Sequence, residues 1–177
     1  MKRYAIPGVF VGRALTGVTR YSWEIIDELD KMIAGRNIAI DFVVPIGVDV
    51  GREYENIRIV HYGKNLKFLW LNFSFLRYLR KERSTGVHLG VNVPWLRPDI
   101  VCIYDVNSIA NPQFFSKYHY LKTKFEKKLA VRKGKKVFTI SHFSAQEIEK
   151  YIGGRATDFA VIPCGWQHMD RIIVDGD

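Results

Sequence analysis

The run GVFVGRALTGVTRY, Gly8 to Tyr21, joins an apolar stretch (Tyr4 to Phe10) to a helical pattern, and its residue types suit a phosphate. Gly8, Gly12, Gly17, Arg13 and Arg20 occupy this turn. Glycines here let backbone N–H groups and the positive end of a helix dipole approach an anion closely. The spacing is neither G-x-G-x-x-G nor G-x-x-x-x-G-K-[ST], so it carries no dinucleotide fingerprint and no P-loop. The same glycines also suit a tight βα connection that holds nothing. The loop by itself leaves both readings open.

A second set of residues matters only if the chain folds as an open parallel sheet, because ligands then bind beyond the C-terminal ends of the strands. The loops expected at that rim are Gly8–Gly17, Asn92–Pro98, Tyr104–Asn111, Ser141–Ser144 and Pro163–His168. They bring Arg13, Thr16, Trp95, Tyr104, Asp105, Asn107, Ser141, His142, Cys164 and His168 to one crevice. This is a polar and aromatic set suited to carbohydrate or phosphate, without a Cys/His/carboxylate cluster at metal spacing.

The elements that must position these residues alternate along the chain. Strands are predicted at Tyr4–Phe10, Ile38–Pro45, Ile57–Tyr62, Val87–Val91, Ile100–Tyr104, Val137–Ile140 and Phe159–Ile162. Helices are predicted at Gly17–Ala34, Asn65–Arg83, Pro112–Arg132 and Ser144–Ile152. Val- and Ile-rich strands alternating with helices predict an α/β fold: a doubly wound, mostly parallel, Rossmann-like sheet with helices on both faces, in one domain. Val18, Tyr21, Ile25, Leu29 and Met32 form the expected core face of the first helix. Asn111-Pro112 reads as N-cap and first helical position, Ser144-Ala145-Gln146-Glu147 as a capping box, and Gly153-Gly154 as a helix stop.

Composition narrows the class. At 177 residues with 47% hydrophobic content, the chain has the material for one real core. Two cysteines suggest no disulfide framework; with no signal peptide at Met1-Lys2-Arg3-Tyr4, a reduced cytoplasmic compartment is expected. No segment reaches the ~18 apolar residues of a spanning helix. The net charge of +9 is uneven. From Lys117 to Lys136, Glu126 stands alone against Lys117, Lys122, Lys124, Lys127, Lys128, Arg132, Lys133, Lys135 and Lys136. Phe114, Tyr118, Leu121, Phe125 and Leu129 are expected to face the core there, leaving a cationic outer face. That face either keeps the domain solvated or attracts an anionic surface. The aromatic helix Asn65–Arg83 fits a buried core helix, and its composition also fits an interfacial one.

Four blocks, in order, carry a family likeness. Gly12-Arg13-Ala14-Leu15-Thr16-Gly17-Val18-Thr19-Arg20-Tyr21 resembles the first βα loop of family 4 glycosyltransferases of the GT-B fold. Ile103-Tyr104-Asp105, with Asn111-Pro112-Gln113-Phe114-Phe115-Ser116, is similar to that family's HD…P-E-x-F segment. Phe138-Thr139-Ile140-Ser141-His142-Phe143-Ser144 and Val161-Ile162-Pro163-Cys164-Gly165-Trp166-Gln167-His168 resemble its TVSxFS and VIPNG-x-xH blocks. The likeness spans nearly the whole chain and points to the N-terminal domain.

The resemblance implies a retaining, metal-independent transfer of a sugar from a nucleotide-sugar donor, with no other cofactor, in cell-surface polysaccharide synthesis. Gly12, Arg13, Thr16 and Gly17 would face the donor phosphates, where Arg13 stabilises charge on the leaving group. Trp95, Tyr104, Asp105, Ser141 and His142 would face the acceptor, with Tyr104 and Asp105 as catalytic candidates. Tyr104 replaces the family's usual His, and an ordinary phenol is poorly matched to acid–base work at neutral pH. Asp105 equally suits a structural role, fixing the loop after its strand. Gly165 and His168 would lie at the hinge. Residues 1–168 would form the acceptor-side domain, and 169–177 would begin the hinge to a second domain that binds the donor and carries the family's paired glutamates. The expected partners are a nucleotide-sugar, a carbohydrate or lipid-linked acceptor, that second domain and an anionic membrane; the location implied is cytoplasmic and peripheral at the inner face of the cell membrane. Two other classes remain: a non-catalytic α/β module binding nucleotides, phosphosugars or nucleic acid, and a flavodoxin-like cofactor domain. No zinc-finger spacing or RNP-like block supports nucleic acid.

Overall fold

Seven short strands, each parallel to its neighbours, form one sheet in the computed structural model, which describes residues 1–66, 68–90 and 92–165. They are β1 (Lys2–Pro7), β2 (Ile38–Val44), β3 (Arg58–His61), β4 (Thr85–His88), β5 (Ile100–Cys102), β6 (Lys136–Thr139) and β7 (Ala160–Val161). The spatial order is β3-β2-β1-β4-β5-β6-β7. Strand order therefore reverses between β1 and β4, which defines a doubly wound, Rossmann-like α/β sheet. All seven predicted strands are present, most of them shorter than expected. Phe10 remains in the core at 2% exposure, although β1 ends at Pro7.

The two faces of the sheet are covered by different helices, as right-handed crossovers on either side of a reversal require. The helix α1 (Gly17–Met32) brings Tyr21 and Ile26 to a cluster with Ile6, Phe42, Val44 and Cys102. On the other face, α2 (Phe75–Lys81) brings Phe75, Tyr78 and Leu79 to Ala5 and Val43. Ala5 and Ile6, or Val43 and Val44, point oppositely because strand side chains alternate. The short α3 (Asn107–Ala110), then α4 (Lys117–Lys133) and α5 (His142–Tyr151), close a third cluster around Val101, Ile103 and Val137.

A buried carboxylate ties several elements together. Asp41 on β2 accepts from Arg58 Nε at 2.9 Å, Tyr78 Oη at 2.8 Å and Arg3 at 3.3 Å. Burial pushes the Asp41 carboxyl up, but these donors outweigh it and hold it below the usual carboxylate range. The network pins α2 and β3 to the sheet.

Local chemistry moved several boundaries. Thr16 caps α1 through a reciprocal box with Thr19 (Thr19 N–H to Thr16 Oγ1 at 3.3 Å, Thr16 N–H to Thr19 Oγ1 at 2.7 Å). The core face of α1 sits one residue away from the predicted stripe at its end, so Met32 is exposed and Ile33 buried. The helix predicted over Asn65–Arg83 is a π-helical turn, Trp70–Ser74, leading into α2. Trp70, Leu71, Phe75, Leu76, Tyr78 and Leu79 are buried as expected, while Phe68, Leu69 and Phe73 face outward. Asn111-Pro112 opens only a 3-10 turn, Pro112–Phe114; Ser116 caps α4 instead, accepting from the His119 N–H. Nor is Ser144 the cap of its helix. Ser141 takes the Ser144 N–H at 3.0 Å, which starts α5 earlier than the capping-box reading placed it. Gly153, at φ 110°, ends that helix as predicted.

The largest correction concerns α4. Phe114, Tyr118, Leu121 and Phe125, expected in the core, are 77%, 75%, 63% and 50% exposed. Thr123, Glu126, Lys127 and Ala130 turn inward instead, at i, i+3, i+4 and i+7. Ala130, fully buried, lets the helix come close to the short strands β5 and β6. Lys127 buries its hydrocarbon stem, leaving its side chain 17% exposed.

Candidate functional site

Two cavities adjoin at the C-terminal rim of the sheet. The first, about 420 Å³, is walled by Val9 and Val11 after β1, Pro45 and Val48 after β2, and Phe68, Trp70 and Leu71 after β3. Its polar lining is Arg13, Asn65, Asn92 and Lys122. The second, about 390 Å³, lies over β4 and β5 against α4; Asn92, Asp105, Asn107, Ser108, His119, Lys122, Thr123, Glu126 and Lys127 line it beside an apolar floor of Val18, Val93, Cys102, Ile103 and Phe115. Asn92 and Lys122 belong to both. The cavities thus meet beside the reversal between β1 and β4, where a doubly wound sheet leaves its crevice.

The loop Gly12–Gly17 is exposed throughout. Gly12 sits at φ +73°, and an added Cβ at Gly12 or Gly17 would meet nothing within 4 Å. The loop is therefore open to approach, with Arg13 on the wall of the first cavity and Thr16 at the start of α1. Gly8 is glycine for a different reason: a Cβ there would lie 2.5 Å from Val44 Cγ1.

Tyr104 reaches the second cavity, but its hydroxyl serves the scaffold. It donates to Leu89 O at 3.2 Å and lies 3.4 Å from Val18 O, tying the β4 loop to the start of α1. Burial, with Cys102 nearby, pushes the phenol far above its ordinary value. Its ring also explains Gly90, which is at φ +80° and whose Cβ would stand 2.0 Å from Tyr104 Cε2. Asp105 lines the same cavity and its Oδ1 accepts the Asn107 N–H at 2.9 Å, which opens α3. Its carboxylate stays largely exposed, with Lys127 Nζ at 3.9 Å. Lys127 also donates to the Asp105 carbonyl. Burial lowers the Lys127 ammonium below its ordinary value, against the pull of Asp105 and Glu126.

The other expected residues disperse. Ser141 and His142 are at the start of α5, after β6; Ser141 is occupied as the cap and His142 is exposed. Neither lines the two cavities. Gly165 borders a separate hollow beside Gly17, Arg20, Tyr21 and Cys164. His168 falls outside the described residues. Trp95 lies on an outer ridge, its ring edge-on to Phe68 at 4.6 Å and to Phe125 at 5.1 Å. Asn72 fixes its backbone, accepting the Trp95 N–H at 2.7 Å.

Sequence reasoning missed Asn92, His119, Lys122, Glu126 and Lys127 as site residues. The signal was present in the i, i+4 pairs Lys122/Glu126 and Thr123/Lys127, one polar group per turn on one face. The competing apolar stripe of Phe114, Tyr118, Leu121, Phe125 and Leu129 masks it, because that stripe puts every lysine of α4 on the outer face.

The sequence profile described as Glycosyltransferase Family 4 matches residues 15–167, most of the chain. The chain belongs to that family, and the module is of the glycosyltransferase type. A search of curated proteins found no significant match.

Proposed function

We propose that this chain is the acceptor-binding half of a retaining, metal-independent glycosyltransferase working at an anionic membrane in cell-surface polysaccharide assembly. The observation that carries the reading is the pair of adjoining cavities beside the β1/β4 reversal in a chain of this family. A nucleotide-sugar would bring its phosphates to Gly12, Arg13, Thr16 and Gly17, with a second domain, reached through Gly165 and His168, holding the rest of the donor. The acceptor hydroxyl would enter the second cavity. There Asp105 has an exposed carboxylate within reach, whereas Tyr104 contributes shape and a fixed wall.

Support for the membrane comes from the surface. Phe68, Leu69, Phe73, Trp95, Leu96, Phe114, Tyr118, Leu121 and Phe125 are all more than a third exposed, and lysines of α4 punctuate them. Aromatic and apolar side chains among cations suit an interface with acidic headgroups. No helix among the described residues is long and apolar enough to cross a bilayer, so the attachment would be peripheral.

The test is sugar transfer. The chain supplied with a donor-binding α/β domain should move label from a nucleotide-sugar to an acceptor in a membrane extract. Chelator should leave the rate unchanged, and Asp105→Ala should lower it at least tenfold. Absence of transfer across uridine and guanosine diphosphate sugars, with tight RNA binding at physiological salt, would overturn the reading.

A further inference from the structure

We infer that Lys127 is the positioning residue of the second cavity: from α4 it clamps the loop after β5, leaving one carboxylate oxygen of Asp105 to the acceptor. This rests on the acceptor-side reading above and assigns a residue to it. Asp105 is held from two sides. Its Oδ1 accepts the Asn107 N–H at 2.9 Å, and its main-chain carbonyl accepts from Lys127 Nζ. Among the described residues nothing donates a hydrogen bond to its Oδ2, and the side chain is 62% exposed. A loop fixed at its main chain and at one carboxylate oxygen presents the other in a narrow range of positions. A proton acceptor for a sugar hydroxyl needs that constraint.

Packing alone does not call for a charge at this position. The Lys127 side chain is 17% exposed, and burial lowers its ammonium below the ordinary value of 10.5. An apolar residue of similar length would fill the same space, and such replacements of buried charges are often neutral or stabilising. The Asp105 carbonyl would then be satisfied by water, since its residue lies at the surface. The charge therefore answers to the cavity rather than to the core. Asp105 and Glu126 attract the ammonium, and Lys122 and His119 line the cavity farther along the same helix. On the sheet side, burial holds Tyr104 and Cys102 un-ionised. Lys122 is engaged by Glu126 at 3.2 Å, so Lys127 is the α4 cation directed at Asp105.

Heteronuclear NMR of the lysine side chains in the 177-residue chain, assigned with Lys127→Met, reads the clamp directly. Lys127 should titrate below its ordinary value, and lower still in Asp105→Asn, which keeps an acceptor for Asn107 but removes the charge. An unchanged titration in that variant overturns the inference. With a donor-binding domain supplied, Lys127→Met should lower kcat about tenfold and leave KM for the nucleotide-sugar unchanged. It should unfold at no lower urea concentration than the natural chain. A loss of stability that matches the loss of transfer would show a structural role alone and overturn the inference. Aminoethylation of Lys127→Cys, with Cys164→Ser present and Cys102 buried, should restore transfer. The thioether makes the new amine less basic, so the alkaline limb of kcat should move to lower pH than in the natural chain. Failure to restore transfer, or a limb that stays in place, also overturns it. A Lys127 that responds to Asp105 in a chain giving no transfer from any nucleotide-sugar would support the clamp and end the reading on which it rests.

Discussion

His88 shows what one side chain can cost. It lies on β4 at 1% exposure, and neither ring nitrogen has a hydrogen-bond partner among the described residues. Burial pushes its pKa down to about 3, despite the pull of Asp99. The folded chain therefore holds the imidazole neutral, while the unfolded chain binds a proton below the ordinary value of about 6.5. Stability should fall as pH drops from that value toward 3, by about 1.4 kcal/mol per unit from this residue. Urea melts at pH 7.5 and pH 5 should differ by about 2 kcal/mol less in His88→Leu than in the natural chain. An equal difference in both would show that other groups set the slope. Tyr104 makes the complementary case. Tyr104→Phe should cost about 1 kcal/mol for its lost hydrogen bonding and leave transfer nearly unchanged. A loss of turnover without a loss of stability would return the hydroxyl to the chemistry. Its place after β5 was legible in the sequence. The commitment of its hydroxyl to Leu89 and Val18 was not, because those carbonyls are brought to it only by the fold.

At the scale of elements, α4 departs most from its pattern. Its apolar residues read as a buried stripe because a helix normally turns such a stripe toward the core. Here the turns at Asn107–Ala110 and Pro112–Phe114 delay the helix to Lys117. Ala130 then selects the face that can approach the short strands, and the aromatics are left outside. The strands were easier to read, since buried parallel strands are short runs of β-branched residues and no rival pattern competes. Leu121→Ser with Phe125→Ser should change stability by less than about 0.5 kcal/mol, as exposed substitutions do. The same pair should cut sedimentation with anionic vesicles at least fivefold, and salt should weaken what remains. Retained vesicle binding in that pair would detach the ridge from any role at a membrane. Asp41→Ala, by contrast, should cost about 2 kcal/mol, chiefly by leaving the buried Tyr78 hydroxyl without its acceptor, since Arg58 is more than half exposed and stays hydrated. Chemical denaturation would measure it.

For the molecule as a whole, the reversal of strand order between β1 and β4 decides where chemistry can sit. The rim that it creates was legible in the sequence from the alternation of strands and helices, and Arg13, Tyr104, Asp105 and His142 all follow strand ends at that rim. The partition of the rim into two adjoining hollows was not. It depends on α4 leaning over β5 and on Phe68 closing the far wall, both long-range results of packing. The shared position of Phe68, in the wall of one hollow and in the aromatic ridge, has a kinetic consequence. On the membrane reading proposed above, a lipid-linked acceptor would pass sideways from the leaflet into the protein without its tail crossing water. Turnover would then follow the mole fraction of acceptor in the bilayer, and diluting it with inert lipid at constant total amount should slow the reaction.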